Sequence, residues 1–172
     1  ISQYRDLLKM TQYDSRMMMT ELSSAEMIQY AEKLKQVETV NQNNEKWVQV
    51  AESQKILLSY FSNNILHCFI IPALIAMLIH SYKKISIHYL SDTIKNIYPY
   101  FKEEFFLKWS MDELEKEIVL IIDKLEHLGW IVRQDATLSI PVDEQLQKQL
   151  LTLAHLSASS LNNMSMIAAL LQ

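Results

Sequence analysis

An apolar run at residues 68–79 places the strongest constraint on how this chain folds. These twelve residues contain no charged side chain and no amide. A membrane-spanning helix needs about twenty apolar residues, whereas shorter runs are typical of helices buried in a protein core. We therefore expect residues 68–79 to form a core helix. Pro72 lies inside the run and removes one helical hydrogen-bond donor, so we expect a bend or break near residues 69–71.

Composition narrows the class of protein. The chain has 172 residues, 49% of them hydrophobic and 21% charged, which is typical of a globular protein with one domain or two small ones. Gly129 is its only glycine, and this excludes the glycine-rich loops that bind nucleotide phosphates. The net charge of −4 gives no general attraction to nucleic acid or anionic lipid. Cys68 is the only cysteine, and we interpret it as a buried structural thiol.

Local signals predict a mainly α-helical fold with small β-hairpins (α+β), in which one structural unit occurs twice. Ser23 and Ser110 each begin a capping box with a glutamate three residues later. An amphipathic helix and a short hairpin follow each box, the hairpins at residues 37–50 and 130–140. A helix followed by such a β-wing is typical of winged-helix proteins. We therefore predict two winged-helix-like modules that share a long central helix, residues 52–82, broken near its proline.

The predicted domain organisation has three segments. Residues 1–58 contain the N-terminal helices and the first winged-helix-like module, and residues 59–83 form the central apolar helix. Residues 84–172 contain the second module and a C-terminal helix. Within this last segment, Pro99 is predicted to mark a helix boundary or the first turn of another helix. The chain begins at Ile1 without an initiator methionine or a signal peptide, so we expect it to be part of a longer protein.

The histidines do not form a pattern that predicts a metal site. None has a second histidine or a cysteine at the helical spacing of three or four residues; the five are His67, His80, His88, His127 and His155. His67 and Cys68 are adjacent, but consecutive helical residues point in different directions. We predict no metal and no cofactor.

Two stretches resemble bacterial membrane-bound glycerol-3-phosphate acyltransferases. Residues 59–76, Ser-Tyr-Phe-Ser-Asn-Asn-Ile-Leu-His-Cys-Phe-Ile-Ile-Pro-Ala-Leu-Ile-Ala, are similar to a family segment, Tyr-(Tyr/Phe)-Arg-Asn-Asn-x-x-His running into Leu-Pro-(Ala/Ser)-Leu, that follows the catalytic domain. Residues 97–109, Ile-Tyr-Pro-Tyr-Phe-Lys-Glu-Glu-Phe-Phe-Leu-Lys-Trp, are similar to the family's Leu-Tyr-Pro-x-(Leu/Phe)-Lys-x-Glu-Leu-Phe-Leu-(Arg/Lys)-Trp. Ser62 stands where the family has arginine, so no contact of that arginine is carried over.

The resemblance implies a parent enzyme that transfers a fatty acyl group from acyl-CoA or acyl carrier protein to the sn-1 hydroxyl of glycerol 3-phosphate. This reaction belongs to phospholipid synthesis at the cytoplasmic face of the bacterial inner membrane. The family's catalytic His-x-x-x-x-Asp motif is absent, since no histidine here is followed by aspartate five residues later; His88 and Asp92 come closest. We therefore expect a C-terminal accessory region that is inactive alone and supports the parent's catalytic domain as scaffold or interaction surface.

Six residues of the two matching stretches are candidates for an interface or a substrate entrance: Asn63, Asn64, His67, Tyr98, Glu103 and Trp109. Along a continuous helix the two asparagines would neighbour the histidine. Two interpretations stay open for these three side chains. They bond to backbone groups freed by the helix break, or they line the interface with the catalytic domain or contact glycerol 3-phosphate or acyl-CoA.

A winged-helix fold also suggests other functions. Nucleic-acid recognition needs a basic recognition helix, yet residues 112–128 carry six acidic and two basic side chains, which repel phosphate. A stand-alone module that binds a separate protein is the alternative that the residues leave open.

Overall fold

The computed structural model describes residues 1–11, 18–42, 45–158 and 161, and of these it gives only the backbone of Met10, Thr11, Gln42, Glu45 and Asn63. The described helices are α1 (Ser2–Thr11), α2 (Ser24–Lys33), α3 (Lys55–Leu66), α4 (Ile70–Tyr82), α5 (Ile87–Phe105), α6 (Met111–His127) and α7 (Glu144–His155). The described strands are β1 (Val37–Gln42), β2 (Glu45–Val50), β3 (Lys84–Ser86), β4 (Val132–Gln134) and β5 (Thr137–Ser139). The predicted mainly helical α+β class is confirmed.

Contacts within the chain divide it into two compact units, Ile1–Ile65 and Leu66–Gln172. The division into three segments at residues 1–58, 59–83 and 84–172 stays a prediction. In the first unit, the Ser23 hydroxyl accepts from the Glu26 amide and so starts α2 with the predicted capping box. β1 and β2 form the predicted antiparallel hairpin, whose turn residues Asn43 and Asn44 lie outside the described part.

The second unit is built around α4, which packs against α5, α6, α7 and the sheet. Nine of its thirteen residues are buried, as expected for a core helix. β5 lies between β3 and β4 in an antiparallel sheet, so the strand order is β3-β5-β4. Asp143 caps the start of α7 by accepting from the amides of Gln145 and Leu146 at 2.8 and 2.9 Å.

The predicted break in the long helix is confirmed. α3 ends at Leu66, residues 67–69 form a turn, and α4 begins at Ile70. Pro72 is therefore the third residue of α4. The first four amides of a helix have no acceptor within it, so the missing N–H of proline costs no helical hydrogen bond there. The long helix therefore breaks just before Pro72, because a helix tolerates proline in its first turn.

The prediction that a helix ends at Pro99 is wrong. α5 continues through this proline to Phe105. A proline inside a helix costs about 3 kcal/mol, whereas burying a large apolar side chain contributes about 1.5–3 kcal/mol. Tyr98 and Phe101 flank the proline and are fully buried, so their packing outweighs its cost. Pro99 itself lies on the exposed side of α5, where water can solvate the carbonyl that has lost its amide donor.

The end of α6 explains the single glycine. Gly129 has a φ of +73°, in the left-handed region that favours glycine. Its amide bonds to the Glu126 carbonyl and the Trp130 amide to the Leu125 carbonyl, both at 2.9 Å. This pair of bonds terminates the helix and turns the chain so that Trp130 enters the core, where it is fully buried.

We expect Gly129→Ala to lower the free energy of unfolding by about 1–2 kcal/mol, because a Cβ disfavours the left-handed conformation. The added methyl itself has room, since the nearest side-chain atom, Leu146 Cδ1, would lie 3.5 Å away. Urea unfolding measures the loss. Gly129→Asn is the matched control, because asparagine tolerates positive φ and should cost less. Equal losses for the two variants would show that φ is not the cause.

Candidate functional site

The first matching stretch begins on α3, where most of its side chains face solvent, and continues through the turn at residues 67–69 into the buried part of α4. Tyr60, Phe61 and Ile65 are more than half exposed. Ser62 and Asn64 are exposed between them, whereas the side chain of Asn63 lies outside the described part of the chain. Asn64 forms no side-chain hydrogen bond within the described residues, so it does not cap the backbone at the helix break. Its amide is accessible to a partner.

The apolar exposure extends to the start of α3. Ile56 and Leu57 join the three residues above, and the five side chains range from 46% to 88% exposed; we call this set the exposed face of α3. A cluster of exposed apolar side chains is typical of a surface that contacts another molecule. Sequence reasoning missed Ile56 and Leu57, although the composition of α3 carries the signal: Lys55 is its only charged residue.

His67 does not share a helical face with the asparagines, contrary to the expectation, because α3 ends one residue before it. It lies in the turn between α3 and α4, and its Nε2 is 3.2 Å from the Sγ of Cys68. Burial raises the pKa of the Cys68 thiol to about 11. The thiol is therefore protonated at neutral pH.

The raised pKa predicts a slow reaction of Cys68 with thiol reagents. Between a pKa of 9.0 and one of about 11, the thiolate fraction at pH 8 falls about 100-fold, and burial adds to this. We expect the folded chain to react at least about 100-fold more slowly than the urea-unfolded chain. Because the neutral thiol is the form that folding favours, its contribution to stability is complete below pH 9 and is lost as the pH rises towards 11. Comparable rates in the two states would contradict the burial of the thiol.

The second matching stretch forms the end of α5 and the connection from α5 to α6. The Tyr98 hydroxyl and the Lys102 ammonium both donate to the backbone carbonyl of Trp109, at 2.8 and 2.7 Å. Tyr98 and Trp109 are buried, and the Lys108 ammonium lies 5.5 Å from the centre of the Trp109 ring. The next residue, Ser110, begins the capping box of α6. These side chains therefore fix where α6 starts.

Glu103 stands apart from this arrangement. It is exposed on α5, as is its neighbour Glu104, and neither forms an ion pair within the described residues. The structure thus separates the six candidates: Tyr98 and Trp109 lie together in the second unit, while Asn64 and Glu103 face solvent.

We expect Tyr98→Phe to lower the free energy of unfolding by about 1 kcal/mol, because it removes a buried hydrogen bond and keeps the ring. Tyr100→Phe is the matched control two residues away: its side chain is exposed, so its effect should stay within about 0.5 kcal/mol. Chemical denaturation of both variants measures the difference. Equal effects would contradict a structural role for the Tyr98 hydroxyl.

A cleft of about 560 Å³ opens between α5, α6 and the turn of the β4–β5 hairpin. At its rim His88 Nδ1 lies 2.9 Å from Asp92 Oδ2, and Lys95 Nζ lies 3.0 Å from Glu115 Oε2. The histidine and aspartate closest to the acyltransferase motif thus meet, but the His88 side chain is almost fully exposed to water. Within residues 1–11, 18–42, 45–158 and 161, no group of three His, Cys, Asp or Glu side chains could hold a metal ion.

The β4–β5 hairpin carries one arginine, and acidic residues of α6 engage it. The Arg133 guanidinium pairs with Asp123, and its Nε lies 3.1 Å from Glu126 Oε2. The positive charge that a wing would offer to a phosphate is therefore neutralised within the second unit.

The fold and these residues define a mainly helical region in which the matching stretches are largely packed in the second unit and face solvent on α3 in the first. The family model for the glycerol-3-phosphate acyltransferase C-terminal region matches residues 1–172, and the chain belongs to this family. The match confirms the family indicated by residues 59–76 and 97–109. No solved structure matches the chain. Among the described residues, no helix has the length and apolar character needed to cross a bilayer.

Proposed function

We propose that this chain is a non-catalytic accessory region of a glycerol-3-phosphate 1-O-acyltransferase and that it supports the catalytic domain of the same enzyme through the exposed face of α3. In this proposal the parent enzyme transfers a fatty acyl group from acyl-CoA or acyl carrier protein to glycerol 3-phosphate in phospholipid synthesis. It acts at the cytoplasmic face of the bacterial inner membrane.

The exposed face of α3 carries the proposal. Burial of a large apolar side chain contributes about 1.5–3 kcal/mol, so covering five of them favours association strongly. Leu7 is the only buried apolar side chain among the described residues of the first unit; every other one lies between Cys68 and Ala154. A partner that covers α3 would supply the apolar contacts that the first unit lacks.

The catalytic domain is the occupant that best fits this face. The family is the C-terminal region of the acyltransferase; in this proposal the catalytic domain lies on the same polypeptide, where its effective concentration is high. Protein interfaces combine an apolar centre with a few hydrogen bonds. Ser62 and Asn64 are exposed among the apolar residues of α3 and suit this pattern. Asn63 and Glu103 keep their candidate role at the interface or the substrate entrance.

We further propose that the second unit is winged-helix-like. From α4 to β5 its elements follow the order helix, strand, helix, helix, strand, strand, with α7 after them, and β5 lies between the other two strands. In the first unit, α2 followed by the β1–β2 hairpin is a smaller version of the same pattern. The acidic α6 and the paired Arg133 favour a protein partner over nucleic acid.

A separate protein partner is the second candidate, and one observation favours it. Val119 and Leu120 are adjacent exposed aliphatic residues on α6, in the second unit. They offer an apolar contact that is distinct from the exposed face of α3. Variants of the two surfaces distinguish the candidates.

We expect Tyr60→Ser combined with Phe61→Ser to reduce the association of this chain with the separately expressed catalytic part of the enzyme by at least about tenfold. The reason is that burial of two aromatic side chains is lost, and about 1.4 kcal/mol corresponds to tenfold. Co-purification and acyltransferase activity are the measurements. Val119→Ser with Leu120→Ser is the matched control and should leave both unchanged.

Three outcomes would contradict the proposal. Acyl transfer by the purified chain alone would refute a non-catalytic role. Unchanged association of the α3 variant would refute docking through this face. Loss caused only by the α6 variant would place the contact with the catalytic part on α6 instead of α3. Both variants replace exposed side chains, so their unfolding free energies should stay within about 0.5 kcal/mol of the original, which separates docking from folding.

A further inference from the structure

Two exposed tyrosines contact each other where the chain runs from the end of α4 through the short strand β3 into α5. The hydroxyls of Tyr82 and Tyr89 lie 3.2 Å apart, and their rings pack edge to face with centroids 5.6 Å apart. Even so, the side chains are 52% and 50% exposed. Tyrosine combines an apolar ring with a hydroxyl that bonds to water, and it is typical of surfaces that contact the boundary between lipid and water.

Two lysines without ion-pair partners lie beside the tyrosines. Lys83 and Lys84 follow Tyr82 directly, both are exposed, and neither pairs with a carboxylate among the described residues. α4 contains no acidic residue at all. The first acidic residue of α5 is Asp92, which His88 engages. The chain as a whole has a net charge of −4. The corner formed by Tyr82, Lys83, Lys84 and Tyr89 is therefore positive in a chain that is acidic overall.

Two histidines, His80 and His155, lie near Lys83. Burial, followed by the charges of Lys83 and His155, lowers the pKa of His80, so these three side chains lie close enough to interact. α7 has one acidic residue, Glu144, at its opposite end. The positive region ends at Ile87, whose amide bonds to Ala136 beside the exposed Asp135 in the hairpin turn.

Local roles account for the lysines only in part. A cation at the end of α4 stabilises the helix dipole, and a lysine on the edge strand β3 discourages pairing with another sheet. Neither role requires a pair of half-exposed tyrosines next to them. Aromatic rings and unpaired lysines without nearby carboxylates on α4 or at the start of α5 suit a surface that binds anionic phosphates.

We propose that this corner, formed by Tyr82, Lys83, Lys84 and Tyr89, contacts the headgroups of an anionic phospholipid bilayer. The lysine stems lie along the surface while their ammonium groups bind phosphates, and the tyrosine rings enter the headgroup layer. Because the rest of the chain is acidic, contact at this corner also orients the second unit. The inference deepens the membrane location of the proposed function and rests on it, but it concerns a different surface from the exposed face of α3.

The test measures how the complete 172-residue chain partitions onto vesicles of phosphatidylglycerol and of phosphatidylcholine. We expect binding to phosphatidylglycerol alone, reduced about 30-fold in Lys83→Gln with Lys84→Gln, since each lysine near an anionic surface contributes about fivefold. Lys116→Gln with Lys148→Gln is the matched control: it removes the same charge from exposed helix positions elsewhere in the second unit and should change binding less than about twofold. Tyr82→Ser with Tyr89→Ser should also weaken binding.

Several results would overturn the inference. These are no binding to phosphatidylglycerol, equal losses in the control and the Lys83/Lys84 variant, or equal binding to both lipids. Binding of inorganic phosphate or coenzyme A at this corner without vesicle binding would assign it to a soluble phosphate instead. The assay uses no catalytic domain, so its failure leaves docking through α3 intact, and failure of docking leaves the vesicle result intact.

Discussion

Burial of α4 is the interaction on which the second unit depends. Nine of its thirteen residues are inaccessible to water, and α5, α6, α7 and the three-stranded sheet all pack around it. The capping box at Ser110, the hydrogen bonds to the Trp109 carbonyl and the left-handed Gly129 set where the surrounding helices begin and end. Each of these local features helps to keep apolar side chains packed against α4.

The first unit has the opposite balance of surface and core. Its helix α3 exposes five large apolar side chains, and α2 buries none of its residues. A unit with so little apolar burial of its own is suited to complete its packing against another domain. Because of this contrast, the two matching stretches have different structural roles. The stretch around Tyr98 and Trp109 stabilises the chain's own fold, whereas the part of the other stretch that lies on α3 is available to a partner.

The features that depend on local interactions were predictable from the sequence. Both capping boxes, both hairpins, the glycine stop of α6 and the core position of residues 70–79 follow from hydrogen-bonding side chains, turn residues and apolar periodicity within a few positions. Pro99 was misjudged because its local preference competes with the burial of Tyr98 and Phe101, which depends on residues distant in sequence. His67 was misplaced relative to the asparagines because the helix ends at Leu66, and three residues separate it from Ile70, where α4 starts.

By itself, the sequence determined the family, the helical class and the ends of most elements, because these depend on neighbouring residues and on the two matching stretches. Only the tertiary structure decided that the apolar side chains of α3 stay exposed. The run at α4 and the run at α3 are both apolar, yet one is enclosed by three helices and the other faces water. Exposure depends on what packs nearby, and hydrophobicity along one segment does not contain that information.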